Sequence, residues 1–397
     1  MLTIDSVYRA ANELKAVARK TDVIRAAKLC PDCDLYLKTE NLQVTGSFKV
    51  RGAYYKMTRM SAEEKARGVI ACSAGNHAQG VALAAKKNGI KAVICLPGGA
   101  PISKVEATKS YGAEVCLVPG VYDDAYQKAI DLQKEHGYAF LHPFNDEDVI
   151  AGQGTIALEL AEQIPDLDAV VVPVGGGGLI SGIAFTIKTL FPNVKVYGVQ
   201  AAGAASMENS LKKGEIETLS SVATIADGIA VKRPGDLTYE ICKKYVDEVV
   251  TVTDNEISAA ILALMEKQKL VTEGAGAAAV AAVMFGKVDI QGKKTVCVLS
   301  GGNIDVTILS RVISRGLTTS GRMCCLDVEV TDKPGALADV TRIIAEQGGN
   351  VTSVNHERVD ENTSVISCYV HITLETRNFE HIQQIKNALK EFGFKVR

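Results

Sequence analysis

Lys49 stands in the stretch SFKVRGAYYK, beside an apolar stripe of Val50, Ala53, Tyr54 and Met57 at i, i+3, i+4 and i+7. That spacing predicts one buried helix face, with Lys49 roughly 100° off its start. Such a lysine either snorkels to solvent or serves as an amine held in a pocket for chemistry. Three glycine-rich turns, each after an apolar run, offer partners: SAGNHAQG (73–80), GGGGLISG (175–182) and SGGN (300–303). Open α/β sheets bind ligands at such strand ends. In the second turn, Gly175, Gly176, Gly177 and Gly178 present N–H groups beside a helix N-terminus, which suits a phosphate. No Gly-Lys-Ser/Thr comes after it, and the dinucleotide fingerprint breaks at Ile180 or Ser181. The next strand ends in Gln200 where a ribose-binding acid would be expected, so a single phosphate fits best. Close packing alone is expected to be too weak a reason for four glycines, given their backbone entropy. Ser73, Asn76 and His77 could meet a carboxylate or a ring oxygen, although His77 lacks a neighbouring acid and suits packing better than base catalysis. Ser300 is either a hydroxyl donor or a helix cap. Phosphate cradle, amide-rich loop, serine and lysine together suggest a phosphorylated cofactor that forms an imine.

The elements needed to position these residues alternate from Val69 onward. Strands are expected at VIACS (69–73), KAVICLP, EVCLVP, DAVVVPV (168–174), KVYGVQ (195–200) and TVCVLS (295–300). Helices are expected over 76–88, 102–111 and 122–135, and from Leu179 and about Ile304. Wholly apolar strands separated by helices signify buried parallel strands with crossovers. The fold class is α/β, an open parallel-sheet body of two lobes, since one core rarely exceeds ~250–300 residues. After Leu317 the pattern changes. LTTSGRM reads as a linker, and the remaining residues read β-α-β-β-α-β: strand 324–330, a helix between Pro334 and Gly348-Gly349, two strands around Asp360-Glu361-Asn362, a helix over 378–392 and FKV. That order is ferredoxin-like. It lacks a nucleophile–base constellation, so it is expected to regulate or assemble rather than catalyse.

The chain has 397 residues with a net charge of −2, which leaves no field favouring nucleic acid or an anionic membrane. No basic stripe with aromatics and no apolar run of ~20 residues occurs. The opening 20 residues make an amphipathic helix rather than a signal peptide. Ten cysteines, several in apolar runs (Cys95, Cys116, Cys297), suit a reducing cytoplasm. Cys30 and Cys33 in C-P-D-C lack a second pair at ligand spacing and read as loop residues.

SFKVRGA, SAGNHAQG, GGGGL and SGGN, in this order, resemble the fold type II pyridoxal-phosphate enzymes, and specifically the threonine dehydratases (threonine ammonia-lyases). KTENLQVTGSFK and HPFNDEDVIAGQGT support the resemblance, which covers about residues 1–317. It implies a two-lobed tryptophan synthase β-like body, with the smaller lobe at about 50–150 inserted in the larger, and pyridoxal 5'-phosphate as cofactor. Lys49 matches the lysine that bonds the cofactor and later takes the substrate α-proton, and Phe48 matches the residue packed on the ring. Gly175 to Gly178 with the Leu179 N–H match the phosphate loop, Asn76 the partner of the ring hydroxyl, and Ser300 the partner of the ring nitrogen. Ser73, Ala74, Gly75, Asn76 and His77 match the substrate-carboxylate loop. A serine at the ring nitrogen limits carbanion delocalisation and suits β-elimination of water from threonine or serine, with the cofactor phosphate as the implied acid. The product then hydrolyses to a 2-oxoacid and ammonia.

Related serine racemases carry S-S-G-N-H, whose second serine is the base on the opposite face. Ala74 stands there in this chain and cannot accept a proton, so elimination without racemisation is expected. Relatives also bind a cation near the segment matching TIADG (224–228). Val222 and Ala223 replace an upstream acid, leaving Asp227 alone, and no dedicated metal site is expected. Other readings are β-replacement, threonine synthase, serine dehydratase or racemase, and an amino-acid sensor with a vestigial body. The tail, with VTDKPGALADVTRII, resembles a single ACT domain over 324–397 after a linker at 318–323. Asp332, Lys333, Pro334, Gly335, Ala336 and Leu337 form a strand-to-helix turn able to hold an amino-acid carboxylate, with Asn350 in the same candidate effector set. ACT domains pair, which implies a homodimer or homotetramer. The effector would be isoleucine, valine or a nucleotide.

Overall fold

A computed structural model of the chain describes residues 2–100, 102–358 and 366–397. The Asp360-Glu361-Asn362 turn lies outside the described residues. The chain forms two compact units, Met1–Ile308 and Leu309–Arg397. The division thus falls before the expected boundary at 317, and the expected linker is partly helical. The helix Val306–Thr319 runs into it, and a strand begins at Met323. The polar residues there extend the helix end: the Thr318 and Ser320 hydroxyls donate to the Ser314 and Gly316 carbonyls.

Among the described residues the first unit contains ten strands. They are β1 (Val23–Arg25), β2 (Asp34–Lys38), β3 (Val69–Cys72), β4 (Ala92–Pro97), β5 (Glu114–Val118), β6 (Ala139–Phe140), β7 (Ala169–Pro173), β8 (Lys195–Ala201), β9 (Glu248–Val252) and β10 (Lys294–Val298). One sheet runs β1-β2-β10-β7-β8-β9, parallel except for β1. The other runs β5-β4-β3-β6, all parallel, and is inserted between β2 and β7 as the smaller lobe. β3 and β7 are buried along their whole length, which is why their sequences are continuous apolar runs. β1, too short to carry a pattern, closes one edge.

The strand ends deliver the three turns. β3 leads to the 73–77 loop and the helix Asn76–Asn88, β7 to the four glycines and the helix Gly178–Leu190, and β10 to Ser300. The helix Lys49–Arg59 begins at the lysine itself and buries Val50, Ala53, Tyr54 and Met57, as their spacing predicts. Two neighbouring helices approach its backbone directly. A Cβ on Gly80 would lie 2.9 Å from the Lys49 carbonyl carbon, and one on Gly152 would lie 2.6 Å from the Gly52 Cα. Only glycine permits that contact, and it sets the height of Lys49 against both lobes.

Buried charge anchors the same helix. Arg51 Nε and Nη2 each donate to Glu40 at 2.8 Å, while Nη1 reaches Glu159 at 2.6 Å and Thr155 at 3.1 Å. Lys38 of β2 joins through Glu159 at 2.6 Å and Gln163 at 2.8 Å. Burial alone would raise the Glu40 carboxyl, yet the Arg51 guanidinium overrides it and holds Glu40 below the usual carboxylate range.

In the second unit β11 (Met323–Thr331), β12 (Asn350–Glu357), β13 (Ser367–Glu375) and β14 (Lys395–Val396) form an antiparallel sheet in the order β12-β13-β11-β14. The helices Ala336–Glu346 and Phe379–Glu391 contribute Val340, Ile343, Ile344, Ile385 and Leu389 to one core with Val328, Val370 and Ile372 of the strands. The expected β-α-β-β-α-β order is present. Its first helix starts after Gly335 rather than at Pro334, because Gly335 adopts φ 96° to turn the chain out of β11.

Removing Arg51 leaves Glu40 charged and buried without its partner. Arg51→Ala is expected to lower unfolding free energy by about 3–5 kcal/mol, read by denaturant titration of the cofactor-free protein. A loss below about 1 kcal/mol would show that the network does not anchor the helix.

Candidate active site

Lys49 is the first residue of its helix, half-buried, and its Nζ donates to the Pro143 carbonyl at 3.1 Å. The Phe48 ring lies 5.3 Å from the ammonium and joins the core that holds Val174, Leu179 and Val298. The Phe48 N–H donates to the Ser300 carbonyl at 3.2 Å, and Ser47 bridges Gly301. The first and last motifs are therefore joined through backbone. Desolvation lowers the Lys49 ammonium to about 8, against an opposing pull from Glu273. A useful fraction is then neutral amine near physiological pH.

Glu273 escaped the sequence reading. It is buried before the helix Gly274–Met284 and accepts from the Asn76 amide at 2.6 Å. Burial, then the Asp227 charge, raises its carboxyl to about 7. Asn303 donates to Asn76 Oδ1 and to the Thr45 carbonyl, both at 2.8 Å. Asn76 is thereby locked in one amide orientation, with a single side-chain hydrogen left to offer. Nothing local distinguishes Glu273 from an acid preceding any alanine-rich helix. Asn303 stood inside SGGN, where its position was the only available signal.

His77 is buried, with Nε2 3.0 Å from the Leu141 carbonyl. A carbonyl only accepts, so the proton sits on Nε2. Burial, helped by Lys49, lowers this ring to about 3, leaving it neutral near physiological pH. His142 accepts the Asn145 N–H at 2.8 Å through Nδ1 and falls to about 4, chiefly by burial. The Ser73 hydroxyl accepts the Gly75 N–H at 3.2 Å. The N–H groups of Ala74, Asn76 and His77 meet no acceptor among the described residues. Ser300 is buried, and its hydroxyl likewise meets none among them.

The glycine loop corrects one expectation. A Cβ on Gly176 would overlap the Phe144 ring, one on Gly178 would lie 2.8 Å from Phe144 Cβ, and one on Gly177, at φ 99°, would lie 2.7 Å from Thr238 Cβ. Close packing suffices to require these glycines, because Phe144 sits against the loop. That packing also ties the loop to Lys49 through the neighbouring Pro143 carbonyl. Among the described residues, none of the N–H groups from Gly175 to Ile180 meets an acceptor in the chain, although five of these six residues are buried. Such donors at the start of the helix Gly178–Leu190 fit a phosphate.

Over residues 14–301 the chain matches the family model described as pyridoxal-phosphate dependent enzyme. The chain belongs to the pyridoxal-phosphate dependent enzymes. Residues 323–392 match the ACT domain family. An L-threonine ammonia-lyase from Thermotoga maritima is 49% identical, over 100% of this chain and 99% of its own. Among solved structures, threonine deaminase isoform 2 from Solanum lycopersicum is 38% identical with a TM-score of 0.74, covering 79% of this chain and 94% of its own. A maize serine racemase is 35% identical with a TM-score of 0.75, covering 80% and 98%. The residues fit the family's cofactor: unpartnered loop N–H groups for its phosphate, the Lys49 amine for its aldehyde, and the remaining Asn76 hydrogen with the Ser300 hydroxyl for its ring.

Two candidate positions end elsewhere. Asp227 pairs with Lys104 of the smaller lobe at 2.5 Å. In the ACT unit, residues 332–337 line a cavity of about 530 Å³ with His356 and Arg358. Asn350 lies at the far end of β12 and gives its amide to Glu375 at 2.8 Å.

Gly176→Ala is expected to destabilise the cofactor-free protein by about 1–3 kcal/mol, with stability recovered in the Gly176→Ala, Phe144→Ala double variant. Unchanged cofactor-free stability with weakened cofactor affinity would return the glycine to a phosphate role alone. Uptake of pyridoxal phosphate, monitored by visible absorbance, is expected to speed up as pH rises through about 8, since only the deprotonated amine attacks. Because Glu273 pulls that value upward, Glu273→Gln moves the midpoint down. A rate independent of pH across that range would remove Lys49 from cofactor capture.

Proposed function

We propose that the chain deaminates L-threonine to 2-oxobutanoate and ammonia by eliminating the β-hydroxyl as water, and L-serine by the same route. The observation that carries this is the desolvated Lys49 amine, lowered to about 8, joined through Pro143-Phe144 to a loop of unpartnered N–H groups. When bound, the cofactor supplies the electron sink for charge at the substrate α-carbon. Lys49 takes the α-proton, and a pKa near the working pH suits it to accept and then release that proton. The N–H groups at the start of the helix Asn76–Asn88 hold the substrate carboxylate. Asn76, fixed by Glu273 and Asn303, orients the ring through its remaining hydrogen. Ser300 would offer the ring nitrogen a neutral hydroxyl, which, unlike a carboxylate, would not hold that nitrogen protonated.

The likeness to a serine racemase raises racemisation as a second reading. Ala74 has no group able to carry a proton, which argues against it. The catalytic groups are intact and mutually held, which argues against a sensor with a vestigial body. The tail regulates: the Gly335 and Leu337 N–H groups meet no acceptor among the described residues, and both residues line a cavity large enough for an amino acid. All ten cysteines are unpaired, in keeping with work in a reducing cytoplasm, and no helix among the described residues is long and apolar enough to cross a membrane. Pairing of ACT domains makes the working form a homo-oligomer.

Incubation with L-threonine is expected to yield 2-oxobutanoate and ammonia in equal amounts, and L-serine to yield pyruvate. Isoleucine or valine should alter the rate. Accumulation of D-serine at a rate comparable to pyruvate would overturn the elimination reading, and no oxoacid from either substrate would overturn the enzyme reading.

A further inference from the structure

The turn proposed for an effector carboxylate also lies beside a different chemistry. Asp332 follows β11, His356 lies near the end of β12, and Cys368 lies near the start of β13. Strand register brings them together: Cys368 pairs with Val330 on one side, and His356 pairs with Val370, placing it diagonal to Cys368 on the same face. His356 Nε2 lies 2.8 Å from Cys368 Sγ. One ligand atom from each of the three residues lies within 4.8 Å of the other two, and no other such trio of histidine, cysteine or acid occurs among the described residues. Asp332 and His356 line the cavity of about 530 Å³, and Cys368 is buried beside His356.

We propose that Asp332, His356 and Cys368 form a binding site for a zinc-like divalent transition metal. Carboxylate oxygen, imidazole nitrogen and thiolate sulfur make a mixed donor set of the kind zinc accepts. Bonds of about 2.0–2.3 Å in a tetrahedron place neighbouring ligand atoms about 3.3–3.7 Å apart, between the 2.8 Å of the His356–Cys368 pair and the 4.8 Å that bounds all three separations. The alternative use of a cysteine beside histidine, as a nucleophile, fails on access. Cys368 is fully buried, out of reach of a substrate that a nucleophile would have to attack. On binding, the Cys368 thiol gives its proton to solvent, and neutral His356 donates the Nε2 lone pair with its proton on Nδ1. Asp332 contributes one oxygen. Its present partner is Arg358, with Nε 3.2 Å away, a cation that the metal replaces or shares. Three protein ligands leave a fourth position facing the cavity, open to water or to the carboxylate of a small molecule.

The test uses the full-length holoenzyme, dialysed after incubation with zinc, with metal content measured directly. About one zinc per chain is expected to remain, and His356→Ala and Cys368→Ser are each expected to weaken retention about tenfold or more. His356 is exposed, so its variant keeps the fold even if the cysteine variant does not. With cobalt in place of zinc, a thiolate-to-metal charge-transfer band should appear in the wild type and vanish in Cys368→Ser. No retained metal, or metal and band that survive both substitutions and so belong to other cysteines, would overturn the proposal.

Discussion

The hydrogen bond from the Phe48 N–H to the Ser300 carbonyl closes the catalytic body around one lysine. It joins a chain segment from early in the sequence to a strand end from the last part of the body, and Ser47 repeats the link on Gly301. The helix that starts at Lys49 cannot shift without breaking it. Gly80 and Gly152 let two other helices touch this helix at backbone distance, and Arg51 fastens it to Glu40 and Glu159. A side chain with several rotatable bonds is thus delivered from a base that does not move.

Burial then changes the chemistry of every one of four ionisable groups nearby. The Lys49 ammonium falls toward neutrality and the Glu273 carboxyl rises, while His77 and His142 lose the ability to charge near neutral pH. All four shifts have desolvation as their largest cause. Lys49 and Glu273 partly restrain each other, because each favours the other's charged form. The result is an amine able to move a proton at ordinary pH, set among groups that do not compete for it.

The structure also separates two causes that glycine always confounds. Phe144 and Thr238 leave no room for side chains on the loop 176–178, so packing explains the composition. The same packing leaves the loop N–H groups pointing where no acceptor among the described residues reaches them. Packing and ligand binding are one device here, since a loop without side chains is what allows both.

Much was legible along the chain. Apolar periodicity located the helix after Lys49, the buried parallel strands and the β-α-β-β-α-β tail, because burial imposes the period of each element directly on its residues. Gly89 marked a helix end correctly because its left-handed φ of 66° is a local demand. β1 was too short to show a pattern, and the helix Val306–Thr319 overran a stretch whose polar residues resembled a linker. Glu273, Asn303 and Phe144 were invisible as site residues, since each acts only through partners more than 30 residues away. By itself, the sequence determined which segments fold into which elements and which strand ends carry chemistry. Only the tertiary structure decided that the Lys49 ammonium is desolvated, that Glu273 faces Asn76, and that Asp332, His356 and Cys368 meet, because dielectric and distance belong to packing between elements rather than to any one of them.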